Sequence, residues 1–155
     1  MLLFGQRIVS SAMTIHFIFI GRTRRQECRA LFDDYAARIR RSADVRITEL
    51  REPSNAALAR VKTDPAARWI LLDAAGRQFS SQEFARWLGK LRDRSTRELL
   101  FLCGGDTGFP DSFRTRAHES LSLSPLTMPH ELARVVLAEQ IYRAFAILSH
   151  HPYAK

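Results

Sequence analysis

Cysteine is nearly absent from this sequence: Cys28 and Cys103 are the only two in 155 residues. They stand too far apart to form a redox or metal-binding pair in sequence, which excludes a disulfide-rich secreted module and points to a reducing compartment. Long apolar runs are missing as well. No segment approaches the roughly 20 residues that a membrane helix needs, and the opening stretch 1–8 is short, with no small-residue cleavage signature after it. A cytoplasmic location without a membrane partner is therefore expected. Glycine and proline are sparse, at 7 and 6, and no internal repeat or low-complexity linker divides the chain. There is no Gly-x-Gly-x-x-Gly and no phosphate loop ending in Gly-Lys-Ser/Thr, so a conventional dinucleotide or nucleoside-triphosphate site lacks its backbone donors. No serine occupies a nucleophile elbow, and no separated acidic pair suits glycoside chemistry. His130, His150 and His151 have no cysteine or carboxylate at metal-site spacing, so no metal is expected. Acidic residues are also short, 16 against 24 Lys and Arg, for a formal charge of +8. That excess favours a polyanionic partner through long-range attraction, without by itself identifying RNA.

What is present suits one globular domain. The chain is 46% hydrophobic and long enough to bury roughly two thirds of its unfolded-chain surface. Residues 13–155 carry the pattern of that domain. Residues 1–12 read as an N-terminal extension, with translation starting at either Met1 or Met13. Residues 14–20 form a β-favouring run closed by Gly21. Residues 25–41 change to helical spacing, with Leu31, Tyr35 and Ile39 at four-residue intervals. A strand is expected over 45–50 and a short helix over 55–61. The interval 22–51 holds nine Arg and five Asp or Glu, a local net of +4 that a merely solvated face would also show. Residues 69–72 form a compact strand ending at Asp73, Gly76 turns the chain, and a helix follows over 80–91. Residues 99–103 repeat the strand signature, a further strand end lies near 121–124, and Pro129 precedes a helix from about 130 to 149. Alternation of this kind predicts a three-layer α/β/α domain with a mainly parallel sheet.

In such domains ligands gather at the carboxyl ends of strands. Two of those ends here are Leu72-Asp73 and Cys103-Gly104-Gly105. The segment Gly104-Gly105-Asp106-Thr107-Gly108 permits close ligand approach, with amides free to bond a carboxylate or an adenine edge; a turn needed only for chain geometry has the same composition. Asp106 suits either a ligand hydroxyl or a helix cap. The run Ser122-Leu123-Ser124-Pro125-Leu126-Thr127-Met128-Pro129-His130 alternates polar atoms with apolar side chains, which suits an adenine held between aliphatic walls or an ordered proline-stiffened connection. The last helix is apolar on more than one face, as when a helix packs on its own sheet and on a second subunit. Glu139 and Arg143 stand at ion-pair spacing, while Arg134 lies on another side, available to a phosphate. His151-Pro152-Tyr153 suits positioning of a nucleobase, or a simple terminal tether.

Taken in order and spacing, 102–108, 122–130, the helix segment Arg134-Val135-Val136-Leu137-Ala138-Glu139-Gln140-Ile141-Tyr142-Arg143-Ala144 and the terminal His151-Pro152-Tyr153 closely resemble the bacterial large-subunit rRNA pseudouridine-N3 methyltransferase family, of the knotted SPOUT class. The resemblance covers essentially residues 13–155. It implies a deep trefoil knot in the carboxyl half, a homodimer, and a bent S-adenosylmethionine held by the knot loops. It implies methyl transfer to N3 of a pseudouridine in a 23S rRNA stem-loop near the decoding region of the assembled ribosome, with no DNA or membrane partner. The implied cofactor residues are Leu72, Gly104, Gly105, Leu121, Ser122, Leu123, Ser124, Pro125 and Leu126. The implied catalytic residues are Arg143, His151 and Tyr153, and the implied RNA contacts are Arg134 and Lys155. The chain departs from the family at its end, where Ala154 and Lys155 replace a histidine and a terminal basic residue; a proton-handling imidazole is lost, and lysine lacks the planar fork of arginine. Two other readings keep the fold: a noncatalytic RNA- or ribosome-binding dimer, and a SPOUT enzyme acting on tRNA or another rRNA base.

Overall fold

The computed structural model of the chain describes residues 13–105 and 107–154. The expected extension at 1–12, and the expectations for Asp106 and Lys155, lie outside the described residues. The elements are β1 (Thr14–Ile20), α1 (Gln26–Ile39), β2 (Asp44–Leu50), α2 (Asn55–Ala59), β3 (Arg68–Gln78), α3 (Ser81–Asp93), β4 (Glu98–Cys103), α4 (Asp111–Arg116), β5 (Glu119–Ser122) and α5 (His130–Leu148), followed by a 3-10 turn at Pro152–Ala154. The sheet has five strands in the order β2-β1-β4-β3-β5, and every strand pairing is parallel.

The expected three layers follow from the pleat. Ile15, Phe17 and Phe19 of β1 point to one face, where they meet Phe32, Ala36 and Ile39 of α1, Phe84 and Leu88 of α3, and Leu137, Ile141 and Phe145 of α5. Ile18 points to the other, with Leu71, Leu100, Leu102, Leu58 of α2 and Phe113 of α4. Central β4 is buried at all six positions, as a strand covered on both sides must be.

The core-facing stripe of α1 differs from its expected phase: Leu31 is 48% exposed while Phe32 is 5% exposed. Aromatic packing decides this. The Phe32 ring meets Phe17 and Phe19 edge-on at 5.0 and 5.1 Å between centroids, contacts a leucine one position earlier cannot reach. α3 starts as its sequence predicts, with a reciprocal capping box between Ser80 and Glu83. α5 begins without a side-chain cap of its own; instead its Glu131 reaches back to accept hydrogen bonds from the backbone N–H groups of Arg24 and Arg25 at 2.6 and 2.9 Å. This ties the β1–α1 connection to the start of α5.

β3 runs beyond its expected end at Leu72, and it does so irregularly. Leu121 of β5 pairs with both Leu72 and Arg77, so residues 73–76 leave the ladder and return to the same partner. At the return, a Cβ on Gly76 would sit 2.6 Å from the Ser120 carbonyl carbon and 2.8 Å from the Leu121 nitrogen. Only a residue without a side chain lets the two backbones pass.

At the opposite end of the sheet lies a buried polar group. His16 Nδ1 is 2.8 Å from Glu98 Oε1, its Nε2 is 2.8 Å from Thr48 Oγ1, and the second Glu98 oxygen accepts from the Asp64 N–H. Burial lowers the His16 pKa despite its carboxylate partner. These contacts join β1, β2 and β4 far from the crevice described next.

Candidate active site

The break within β3 and the carboxyl ends of β4 and β5 surround a cavity of about 230 Å³. Its walls are Leu72, Asp73 and Ala74 at the break in β3, Cys103, Gly104 and Gly105 at the end of β4, and Leu123, Ser124, Leu126, Thr127 and Met128 before α5. Small residues shape the floor. A Cβ on Gly104 would lie 3.2 Å from the Phe109 ring, and one on Gly105 would lie 3.2 Å from the Ile20 carbonyl oxygen. Side chain to backbone bonds shape the rim: Ser122 Oγ donates to the Ser124 carbonyl at 3.2 Å, and Ser124 Oγ accepts from the Leu126 N–H at 2.9 Å. Leu126 remains 77% exposed at the mouth, an apolar surface suited to a ring system.

Charge inside the cavity is balanced. Asp73 accepts from the Ala75 N–H at 3.0 Å and forms an ion pair with Arg114, another wall residue. The Ala75 hydrogen bond, with help from Arg114, holds the Asp73 carboxyl below its ordinary range despite partial burial. Cys103 is no nucleophile: burial pushes its thiol up to about 12. Among the described residues no cluster of His, Cys, Asp or Glu is arranged to hold a metal.

Six of the nine expected cofactor residues line this cavity: Leu72, Gly104, Gly105, Leu123, Ser124 and Leu126. Leu121 and Ser122 do not. They are paired in β5, each 4% exposed, and border a separate cleft with Phe79 and Val136. Ser122 acts on the cavity only through its bond to the Ser124 carbonyl. Pro125 sits at the turn without lining the wall. Sequence reasoning missed Asp73 and Arg114 as a pair, since α4, which carries Arg114, is a six-residue helix with no long apolar period.

The expected catalytic residues gather elsewhere. Arg143 donates to Glu139 Oε1 from Nε and Nη2 at 3.0 and 2.7 Å, and the Tyr153 hydroxyl donates to the same oxygen at 2.9 Å. The guanidinium carbon lies 5.1 Å from the Tyr153 ring centre. Burial, then hydrogen bonds with Tyr35 and Glu139, raises the Tyr153 pKa and keeps the phenol neutral. His151 is exposed, its Nδ1 accepting from the Tyr153 N–H at 3.2 Å. Arg143 lies ten positions along α5 from Ala133 on the cavity wall, about 15 Å at helical rise. Within one chain the two groups are therefore apart.

Arg134 corrects its expected role. It is 1% exposed, so no phosphate reaches it. Its guanidinium donates to Thr23 Oγ1 at 2.9 Å and to the Ile20 carbonyl at 2.8 Å, and it covers the Phe19 ring at 4.5 Å. Because the same Ile20 carbonyl backs Gly105, Arg134 braces the cavity floor from beneath.

A backbone-rich crevice at the ends of parallel strands defines a small-molecule-binding α/β domain. Its identity follows from comparison: a model described as predicted SPOUT methyltransferase matches residues 13–154, and the chain belongs to that trefoil-knotted, S-adenosylmethionine-dependent methyltransferase family. It is 41% identical over 151 residues to the ribosomal RNA large subunit methyltransferase H of Geobacter metallireducens, covering 91% of this chain and 98% of that protein. It is 41% identical over 143 residues to the protein of the same name from Solibacter usitatus, covering 92% and 100%. A probable methylase family protein from Haemophilus influenzae shares the fold, with a TM-score of 0.55 at 12% identity over 92% of this chain and 70% of that one. The cavity fits the cofactor: aliphatic walls at Leu72, Leu123 and Leu126 suit adenine, glycine backbone admits close approach, and the Asp73–Arg114 pair leaves no excess positive charge against a sulfonium.

Proposed function

We propose that the protein transfers the methyl group of S-adenosylmethionine to N3 of a pseudouridine in large-subunit rRNA, in a stem-loop near the decoding region of the assembled ribosome. The observation that carries this reading is the cavity at the break in β3 and the ends of β4 and β5, in a chain similar over nearly its whole length to proteins named as large-subunit ribosomal RNA methyltransferases.

When bound, the cofactor supplies a methyl group activated by an adjacent sulfonium centre. Leu72, Gly104, Gly105, Leu123, Ser124 and Leu126 hold it through apolar contact and backbone hydrogen bonds, so that binding fixes direction as well as affinity. Pseudouridine N3 is an imide nitrogen and must lose its proton to attack. Arg143, with its orientation set by Glu139, offers its remaining N–H donors to the base and stabilises the charge that develops on its carbonyl oxygens, while Tyr153, its hydroxyl bonded to Glu139, holds that cluster in place. The N3 proton goes to His151, exposed beside Tyr153, once its Nδ1 releases the Tyr153 N–H, or else to solvent or a ribosomal group. Lys155 adds positive charge at the terminus for RNA.

The reading includes a homodimer. Since neither Arg143 nor Tyr153 lines the cavity of its own chain, a second copy would bring its α5 terminus to the cavity of the first. Arg134 drops out as an RNA contact and serves the cavity floor. Among the described residues no helix is long and apolar enough to cross a membrane.

The deciding experiment maps labelled methyl transfer by mass spectrometry on intact ribosomes whose large-subunit rRNA contains pseudouridine, with isolated rRNA and tRNA as controls. A methyl on N3 of the stem-loop pseudouridine is expected. Ribosome binding without transfer would replace the reading with a noncatalytic dimer, and transfer to tRNA would replace the substrate.

A further inference from the structure

Beside the cofactor cavity, at the β1 and β2 end of the same sheet edge, run two connected clefts. One, of about 440 Å³, is lined by Arg22, Arg24, Arg29 and Arg51 around Gly21 and Thr23. The other, of about 560 Å³, is lined by Arg46, Arg51, Arg60 and Lys62. Glu49, Leu50 and Arg51 border both, so the two form one track. Seven basic side chains face it against two acidic ones, Glu49 and Glu52. Neither acid neutralises the group: Glu49 lies 4.0 Å from Arg22, which is itself 83% exposed. Arg46 leans toward Glu98 at 3.6 Å. Among the described residues no carboxylate lies within ion-pairing distance of the charged side-chain groups of Arg24, Arg51, Arg60 or Lys62.

Unpaired cations on an outer strand have a simpler explanation, protection of the strand edge against pairing with other chains. That explanation requires charges on β2 itself. Here Arg22 and Arg24 come from the β1–α1 connection, Arg29 from α1, and Arg60 and Lys62 from the chain after α2. Several elements converge on one groove, and the convergence creates a focused positive potential. Gly21, at φ +84°, turns the chain so that the arginine-bearing connection stands over the ends of both strands, with its N–H bonded to the Leu50 carbonyl at 2.7 Å. Glu131 and Arg134 then fasten that connection to α5.

We propose that this track is the seat of the RNA phosphodiester backbone flanking the target nucleotide, an inference that rests on RNA being the substrate. β2 has seven residues, a length of about 23 Å at strand rise, enough for several nucleotides. The upper end of the track adjoins the cofactor cavity through Ile20, whose carbonyl backs Gly105. Phosphates bound along it lead the strand toward the methyl donor. Arginine forks suit phosphate, and such contacts position the RNA without reading its sequence.

The test uses the full chain and a labelled rRNA stem-loop, with affinity followed by anisotropy over a salt series. Each lost phosphate contact lowers the slope of log affinity against log salt by about 0.7 for single-stranded RNA. The triple variant Arg51→Ala, Arg60→Ala, Lys62→Ala is therefore expected to lower it by about 2. Its melting temperature and its calorimetric affinity for S-adenosylmethionine are expected to match wild type. The triple variant Lys90→Ala, Arg92→Ala, Arg94→Ala, exposed at the end of α3, is the charge-matched control and is expected to leave the slope alone. An unchanged slope in the triple variant overturns the proposal. So does weakened binding to intact ribosomes with unchanged binding to RNA, which would assign the track to an acidic protein segment. If wild type transfers no methyl yet the slope falls as expected, the track stands and the enzymatic reading fails; if the triple variant binds and methylates like wild type, the reverse holds.

Discussion

Replacing Gly76 with alanine adds a single methyl group where two backbones already touch. The new Cβ would meet the Ser120 carbonyl carbon at 2.6 Å, its oxygen at 2.7 Å and the Leu121 nitrogen at 2.8 Å, against 3.4 Å for ordinary contact. One backbone must therefore move by about 0.8 Å, the difference between 3.4 and 2.6 Å. Neither has a flexible side chain that can give way instead. Overpacking of this kind costs about 1–3 kcal/mol, which for a domain of this size lowers the melting temperature by about 4–8 °C at the middle of that range. The functional effect is the more diagnostic one, because Leu121 and Ser122 lead directly into the rim at Leu123 and Ser124. A shift approaching 1 Å in the cavity wall is expected to weaken cofactor binding and to cut turnover by about 100-fold. Gly21→Ala is the control. It has φ +84° and no atom within 4 Å of an added Cβ, so it is expected to lose about 1 kcal/mol to backbone strain alone and to keep its cofactor affinity. Thermal melts with calorimetric titration of S-adenosylmethionine separate the two. A Gly76→Ala protein that melts and binds cofactor like wild type would refute the contact argument.

Tyr153→Phe and Arg143→Ala are expected to leave cofactor affinity unchanged, since neither lines the cavity of its own chain, while lowering methyl transfer by about 10²-fold; a parallel loss of cofactor affinity would contradict the assignment. In the folded protein a thiol reagent near neutral pH is expected to label Cys28 and spare Cys103, whose pKa burial pushes to about 12; mass mapping of alkylated peptides reads this, and rapid labelling of Cys103 would show the cavity floor to be open. Backbone hydrogen bonds hold Asp73 and Glu131 below their ordinary values of 3.8 and 4.5. Their contribution to stability is thus fully present above those values and lost as pH falls below them through the lowered values of the folded state. Denaturation midpoints should fall in that acid range, and less steeply for Glu131→Gln; parallel curves for the variant and wild type would remove Glu131 from the account.

Local pattern revealed much of this molecule because most of its elements are fixed by local physics. β1 and β4 are apolar enough to be buried on both sides, and the helix expected over 80–91 starts where Ser80 and Glu83 close a capping box. The strand-end glycines after Cys103 point to the crevice for the same reason. Nonlocal contacts account for what differed. Nothing near Leu31 discloses that Phe32 wins the core position, because the deciding rings, Phe17 and Phe19, lie on another element. Nothing near Leu72 shows that β3 resumes at Arg77, because the partner that recaptures it is Leu121. Arg134 reads as a surface arginine until the Ile20 carbonyl and Thr23 hydroxyl close over it. The tyrosine and arginine cluster on α5 was legible as a set of residues, whereas its distance from the cavity depends on helix length and topology.

The two ligand environments at this sheet edge have opposite electrostatic needs, and the chain separates them by strand. A sulfonium cofactor is repelled by unpaired arginines, while an RNA backbone requires them. At the ends of β3 and β4 the one arginine on the cavity wall, Arg114, is paired with Asp73, so the cofactor side stays near neutral. At the ends of β1 and β2 the Arg24 and Arg51 guanidinium groups have no carboxylate within ion-pairing distance among the described residues. Arg134 stands on the boundary, buried, its charge turned toward the Ile20 carbonyl and the Phe19 ring instead of either ligand. A guanidinium there can fasten the floor of one site to the arginine-bearing connection of the other without adding exposed charge to the cofactor side. A lysine would keep the charge but lose the fork that reaches Thr23 and Ile20 together. On this reasoning the residue that the sequence offered as an RNA ligand keeps the two sites in register.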